Sequence, residues 1–215
     1  LLGADLVVTS RQAFSPEVTR YLDALGGEQA PEVATSSMMV FPTANGATRL
    51  VQARGMAGGF PFYGEIETAP AGAVARLRRG ERVVLLEQSL LPQFNVKVGD
   101  RVRLGRSEFV VAGALVKVPG ENAAVASLAP RAFYPLDALP ATGLAGPGSL
   151  VRHRVALKLP AGADAEAIVR DMRERFRAQR LSFDTVEERK RQLGRTLTNV
   201  RGVLSLVGFV ALVLG

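Results

Sequence analysis

The strongest constraint on this chain is its C-terminal end, where an apolar run follows a polar, basic segment. Residues 203–215 read VLSLVGFVALVLG, 13 residues without a charge. A helix that spans a bilayer needs roughly 20 apolar residues. Because the chain stops inside the run, we expect the beginning of a transmembrane helix. A buried core helix of a soluble protein is the alternative, but residues 203–215 are apolar on all sides rather than on one face, which favours the membrane.

The spacing of apolar residues predicts one continuous helix that runs into this segment. Steps of four and three residues alternate along a stripe, which is typical of a coiled-coil interface. The stripe contains Val186, Leu193, Leu197, Val200, Leu204 and Val207. We interpret residues 187–202 as a stalk helix, which could carry movement between a membrane and a soluble body.

The charge of the chain suggests an anionic partner. The formal net charge is +7, and the densest basic cluster, residues 189–201, directly precedes the apolar run. That position favours lipid headgroups over DNA, so we predict a membrane contact and no nucleic acid. A membrane-tethered nucleic-acid binder is the alternative, and its binding would depend steeply on salt. Basic residues beside a transmembrane helix usually mark its cytoplasmic side, although this rule weakens for large extramembrane domains.

Two segments upstream share the order strand, helix, strand. The first has a strand at residues 4–10, a helix that begins at Ser15 and Pro16, and a second strand near residues 32–40. A hairpin turn at Asn45 and Gly46 follows that strand. The second covers residues 149–186. Two such units side by side make a split βαβ, ferredoxin-like domain.

We therefore predict an α+β fold with a porter-like subdomain, an inserted β-rich subdomain and a helical stalk that enters a transmembrane helix. The predicted divisions are porter-like halves at residues 1–55 and 148–186, the β-rich insertion at 56–147, the stalk at 187–202 and the start of the transmembrane helix at 203–215. Within the insertion, two alternating runs joined at Gly105 predict a hairpin that belongs to a small β-barrel or to another compact β module.

A glycine-rich loop at residues 56–70 contains three aromatic residues close together, Phe60, Phe62 and Tyr63. They could form a patch that binds a hydrophobic ligand or a partner. Aromatic residues in such a loop more often close the edge of a core, which is the interpretation we favour.

The motifs of common enzymes are missing from the sequence. There is no G-x-x-x-x-G-K-[ST] loop for phosphates and no G-x-S-x-G nucleophile elbow. The absence of cysteine excludes disulfides and thiolate chemistry. The single histidine, His153, lies in a predicted strand, and no group of residues has metal-ligand spacing. We predict no catalytic residue, no metal and no cofactor. A membrane-anchored hydrolase of lipids or esters remains the alternative, because dispersed carboxylates could converge in space.

Four segments together carry a resemblance to a known family. They are LLGADLVVTS, GGFPFYGEIET, KVGDRVRLG with the following FVVAG, and DTVEERKRQLGR before the apolar run. The chain resembles, over essentially its whole length, the extracytoplasmic domain of MacB/FtsX-type ABC transporter permeases, and is most similar to the YbbP subgroup. The family places this domain between the first two transmembrane helices, which implies one helix before Leu1 and another from about Val203.

The resemblance implies a role in transport without catalysis. In this family a separate cytoplasmic ABC ATPase subunit binds and hydrolyses ATP, and permeases act as pairs or pseudo-repeats in the inner membrane. Their stalks carry the motion into the periplasm, an action called mechanotransmission. Cargo in the family is often hydrophobic or lipid-linked, or is a peptide expelled through a partner. The YbbP subgroup is associated with a periplasmic esterase. Lipid or another hydrophobic compound is therefore the expected cargo.

Overall fold

The computed structural model describes residues 3–120, 130–146, 148–188 and 191. The strands are β1 Leu6–Ser10, β2 Glu28–Phe41, β3 Ala47–Met56, β4 Glu67–Ala69, β5 Val83–Glu87, β6 Arg101–Leu104, β7 Ser107–Lys117, β8 Arg131–Pro135, β9 Val151–Lys158 and β10 Ser182–Thr185. The helices are α1 Pro16–Ala24, α2 Val74–Arg78, α3 Leu90–Gln93, α4 Leu139–Thr142 and α5 Ala165–Arg175. Residues 186–188 and 191 are also helical.

One half of the fold is an antiparallel sheet in the order β10-β1-β9-β2. This order is that of a split βαβ domain. The two strands at the edges of this sheet, β2 and β10, are the ones that follow α1 and α5 in the chain. The two helices α1 and α5 pack on one face of the sheet. Their shared core contains Leu6, Val8, Val18, Leu22, Val155, Leu157, Val169, Met172 and Phe183. The predicted α+β fold is confirmed.

Both helices begin where the sequence places a cap. Ser15 accepts a hydrogen bond from the Val18 N–H at 3.3 Å, and Pro16 occupies the first turn of α1. Asp164 accepts hydrogen bonds from the N–H groups of Glu166 and Ala167 at the start of α5. These side chains satisfy donors that have no partner within the helix, so each cap fixes the residue at which its helix starts.

The other half of the fold is a barrel that closes through β6. Strands pair in the ring β2-β3-β8-β5-β7-β6, and β6 pairs with β2 to complete it. Phe41 stacks on Phe94 at 4.1 Å between ring centroids inside this half. Gly105 makes the tight turn between β6 and β7, where a side chain would overlap the Thr142 carbonyl oxygen. The hairpin predicted at Gly105 is present, with β6 paired to β7, and the pairing of β6 with β2 closes the barrel.

The long strands β2 and β3 join the two halves. The first part of β2 pairs with β9, and its last part pairs with β6. Met39 and Val51, from β2 and β3, lie in the barrel core. The division expected between residues 55 and 56 falls inside β3, because its hydrogen bonds to β2 continue to Met56. The sheet therefore runs through the expected boundary, and the division into subdomains stays a prediction.

Candidate functional site

The first and last strands of the body are neighbours. They pair in antiparallel fashion, with Leu6 opposite Thr185. The chain therefore enters β1 and leaves β10 at the same end of the sheet. Any force applied to the chain at either point acts on one pair of hydrogen-bonded strands.

The helix that starts after β10 contacts α5 through the carboxylate of Glu166. Thr185 Oγ1 donates a hydrogen bond to Glu166 Oε1 at 2.7 Å and accepts one from the Glu188 N–H at 3.1 Å. Arg191 Nη2 lies 3.1 Å from the same carboxylate oxygen. The hydrogen bond from Thr185, with a further contribution from Arg191, holds the pKa of Glu166 below its usual value. Thr185 is thus both the cap of this helix and its link to α5.

Val186 is the first residue of the predicted stalk stripe, and it packs against a core cluster that includes Val7 and Phe60. The other stripe residues, Leu193, Leu197, Val200, Leu204 and Val207, lie outside the described residues, so the rest of the stripe stays a prediction. Within the described ranges, no helix has the length and apolar character needed to cross a bilayer. The predicted transmembrane segment, residues 203–215, also lies outside them.

The three aromatic residues of the glycine-rich loop have different surroundings. Phe60 is 4% exposed in the core, under the guanidinium group of Arg154 at 5.1 Å from the ring centroid. Phe62 is half-buried against the same cluster. Tyr63 is 41% exposed, and its hydroxyl donates to Asp5 Oδ2 at 3.0 Å. Phe60 therefore belongs to the core, and contact of Phe62 or Tyr63 with a ligand or partner stays a prediction.

The environment of His153 is that of a structural residue. It lies half-buried in β9 with its ring edge towards Phe14, and burial lowers its pKa. Among the residues that the structure describes, no three histidine, cysteine, aspartate or glutamate side chains come close enough to hold a metal ion. The prediction that the domain has no catalytic residue and no cofactor rests on its sequence motifs.

The structure also assembles a group of charged residues that the sequence did not reveal. Glu32 in β2 accepts hydrogen bonds from Arg54 Nε at 2.9 Å and Arg54 Nη2 at 2.6 Å. Arg154 Nη1 lies 3.1 Å from the same carboxylate. Each is next to a buried apolar residue in its strand, Val33, Ala53 or Val155, which indicates that the charged side chain lies on the other face. Only the register of β3 and β9 against β2 shows that they meet.

Comparison with known proteins decides the family. The family model of the MacB-like periplasmic core domain matches residues 2–175 of the 215-residue chain. The chain belongs to this family. The family predicted from the four sequence segments is thereby confirmed, whereas the YbbP subgroup stays a prediction.

A solved structure shares the fold of the MacB-like domain. The periplasmic region of MacB from Actinobacillus actinomycetemcomitans aligns with a TM-score of 0.55 and 11% identity, covering 90% of this chain and 94% of that one. A domain of a permease protein from Porphyromonas gingivalis aligns with a TM-score of 0.48 and 14% identity, covering 85% and 90%. No curated protein matches the chain.

Family membership gives this MacB-like domain its general role and place. It is the periplasmic domain of an ABC transporter permease, and it therefore belongs to an inner-membrane protein.

Proposed function

We propose that this MacB-like domain is a mechanical element of its transporter. A cytoplasmic ATPase subunit hydrolyses ATP, the membrane helices move, and the helix after β10 transmits that movement to the periplasmic body. The work serves the export or extraction of a lipid or another hydrophobic compound. The domain itself contributes no catalysis and binds no cofactor, since ATP is bound by the partner subunit.

The observation that supports this proposal is the pairing of β1 with β10. Because Leu6 lies opposite Thr185, two membrane helices that flank the body would reach it at one place. Glu166 then connects the start of the second helix to α5 through Thr185 and Arg191. A displacement of that helix would move α5 and the sheet together rather than bend a free linker.

The predicted stalk stripe extends this proposal to partners. An apolar stripe with coiled-coil spacing requires an apolar partner helix. A second permease copy or pseudo-repeat would supply that helix, and the ATPase subunit would act on the pair. The association with a periplasmic esterase, expected from the YbbP resemblance, would bring a second partner to the periplasmic body.

The stalk can be tested in the full-length permease, reconstituted with its ATPase subunit in proteoliposomes. Leu197→Gln and Val200→Gln place polar groups in the stripe. We expect ATP hydrolysis to continue in both variants, while extraction of a fluorescent phospholipid into the aqueous phase falls severalfold. Thr198→Gln changes a residue beside the stripe on the same predicted helix and serves as the matched control.

Two results would contradict the proposal. One is lipid extraction by the Leu197 and Val200 variants at the rate of the Thr198 control. The other is turnover of a generic ester by the purified chain, which would favour the hydrolase instead.

A further inference from the structure

A cavity of about 1040 Å³ lies on the open face of the sheet, the face that α1 and α5 leave uncovered. Its walls come from β1 and the two residues after it, from β2, β3, β9 and β10, from the turn before β10, and from Pro119 and Gly120 after β7. The charged residues that line it are Arg11, Glu32, Arg54, Arg152, Arg154, Arg180 and Asp184. Five guanidinium groups face two carboxylates, so three positive charges are unbalanced. Such a concave surface concentrates anions.

The inner part of the cavity is rigid. The carboxylate of Glu32 is shared by two guanidinium groups, those of Arg54 and Arg154. Each of these groups also lies over an aromatic ring, Arg54 on Phe133 at 4.6 Å and Arg154 on Phe60 at 5.1 Å. The planes of both groups are thereby fixed before any ligand arrives, which lowers the entropy lost on binding.

The outer part of the cavity supplies donors that are available to a ligand. Arg11, Arg152 and Arg180 are exposed, and they make no ion pair with any residue that the structure describes. A guanidinium group offers several N–H donors in a planar fork that matches phosphate oxygens. Three such groups around one concave surface favour a phosphate group, which presents more acceptor oxygens than a carboxylate does.

An apolar strip borders the cavity on the same face. Met38 in β2 and Leu50 in β3 are directly opposite each other and are 49% and 55% exposed. Leu50 is two residues from Gln52, which lines the cavity, and this spacing corresponds to about 7 Å along a strand. Leu150, two residues before Arg152, is 93% exposed. Exposed apolar side chains grouped beside a polar rim mark an interaction surface.

We propose that this face binds an anionic phospholipid, with the phosphate in the arginine-lined cavity and an acyl chain along Met38 and Leu50. Charge complementarity selects the headgroup, and the neighbouring apolar strip selects an amphiphile over a free phosphate ion. The inference deepens the proposed function by naming a class of cargo, and it rests on that function only in treating the bound lipid as cargo.

The binding can be followed by NMR on the full chain in a non-ionic detergent, using the side-chain Nε of Arg152 and the methyl group of Met38. The probes are dihexanoyl phosphatidic acid, dihexanoyl phosphatidylcholine, inorganic phosphate and poly-glutamate, which stands for an acidic protein partner. We expect phosphatidic acid to shift both signals and to saturate. Inorganic phosphate should shift the Arg152 signal alone, and phosphatidylcholine, which has no net charge, should bind more weakly than phosphatidic acid.

Variants test the arginine-lined cavity and the apolar strip separately. Arg152→Glu and Arg180→Glu should each weaken phosphatidic acid binding about tenfold, as expected for the loss of a charge-assisted hydrogen bond. Met38→Ser should weaken phosphatidic acid binding and leave inorganic phosphate binding unchanged. Arg20→Glu is the matched control, because Arg20 is an exposed arginine of α1, on the covered face of the sheet.

Four outcomes would overturn the inference. They are the absence of a saturable shift, an Arg152→Glu effect no larger than that of Arg20→Glu, equal affinities for inorganic phosphate and phosphatidic acid, and binding of poly-glutamate in preference to lipid, which would indicate an acidic protein partner. None of these measurements needs the ATPase or transport. A negative result in the lipid-binding experiments therefore does not contradict the proposed transmission of movement. A negative result with the stalk variants does not contradict the lipid site.

Discussion

The hydroxyl of Thr185 donates a hydrogen bond over 2.7 Å to the carboxylate of Glu166, 19 residues earlier in the chain. The same hydroxyl accepts a hydrogen bond from the Glu188 N–H. One buried side chain thus ends the last strand of the body, caps the helix that follows and connects that helix to α5. This is the contact through which we expect movement to pass between stalk and body.

Replacing Thr185 with valine tests this connection, because the shape is kept and both hydrogen bonds are lost. We expect Thr185→Val to lower the free energy of unfolding by about 1–2 kcal/mol, the usual cost of losing a helix cap. Urea unfolding of the full chain in non-ionic detergent measures it. Thr19→Val, at an exposed hydroxyl in α1, should change the stability by less than about 0.5 kcal/mol. Equal effects in the two variants would show that the Thr185 contact stabilises nothing.

The buried ion pairs around Glu32 should be far more sensitive than exposed ones. Glu32→Gln leaves Arg54 and Arg154 without their shared carboxylate, and breaking a buried pair from one side costs about 3–5 kcal/mol. Glu28→Gln, which breaks the exposed pair with Lys158, should cost less than about 1 kcal/mol. Urea unfolding compares the two. A Glu32→Gln variant as stable as Glu28→Gln would mean that water replaces the carboxylate.

Two aromatic residues of the glycine-rich loop, Phe60 and Tyr63, should differ in how much they contribute to the free energy of unfolding. Phe60→Ala should lower the free energy of unfolding by about 3–5 kcal/mol, because it leaves a cavity in the core. Tyr63→Ala should cost less than about 1 kcal/mol, since its ring is largely exposed and its hydrogen bond to Asp5 lies at the surface. Thermal or urea unfolding of both variants provides the comparison. Similar losses at the two positions would argue against the core placement of Phe60.

Burial of His153 predicts a dependence of stability on pH. Burial lowers the pKa of His153 in the folded state below its ordinary value of 6.5. The unfolded chain therefore takes up the proton first as the pH falls, and this uptake favours unfolding. We expect the contribution of neutral His153 to the free energy of unfolding to be complete above about pH 7. This contribution should be lost as the pH falls through 6.5 towards the pKa of His153 in the folded state.

His153→Gln removes the titrating group and is the control for that dependence. The difference in unfolding free energy between the wild-type chain and His153→Gln should be constant above pH 7 and should shift in favour of the variant at pH 5, measured by urea unfolding at each pH. A shift in favour of the wild-type chain on acidification would mean that protonated His153 gains a partner in the folded state.

The local elements of the fold could be predicted because their signals are local. Ser15 followed by Pro16 predicts the start of α1, and Gly105 predicts the tight turn of the β6–β7 hairpin, since each depends on backbone conformations of adjacent residues. The repeated order strand, helix, strand was enough to predict the split βαβ sheet. The pairing of β6 with β2 that closes the barrel could not be predicted, because it joins strands some sixty residues apart.

Short-range periodicity was enough to predict the local elements and an apolar end typical of a membrane helix, and the resemblance of four segments to a known family indicated the family. Only the folded chain shows that Phe60 lies in the core, that Thr185 contacts Glu166 and that arginines from several strands and turns line one cavity. These depend on strand register, and register is set by the packing of the whole sheet. The pattern of residues along a strand shows which face of that strand is polar. Only the folded sheet shows which polar residues of the neighbouring strands lie beside that face.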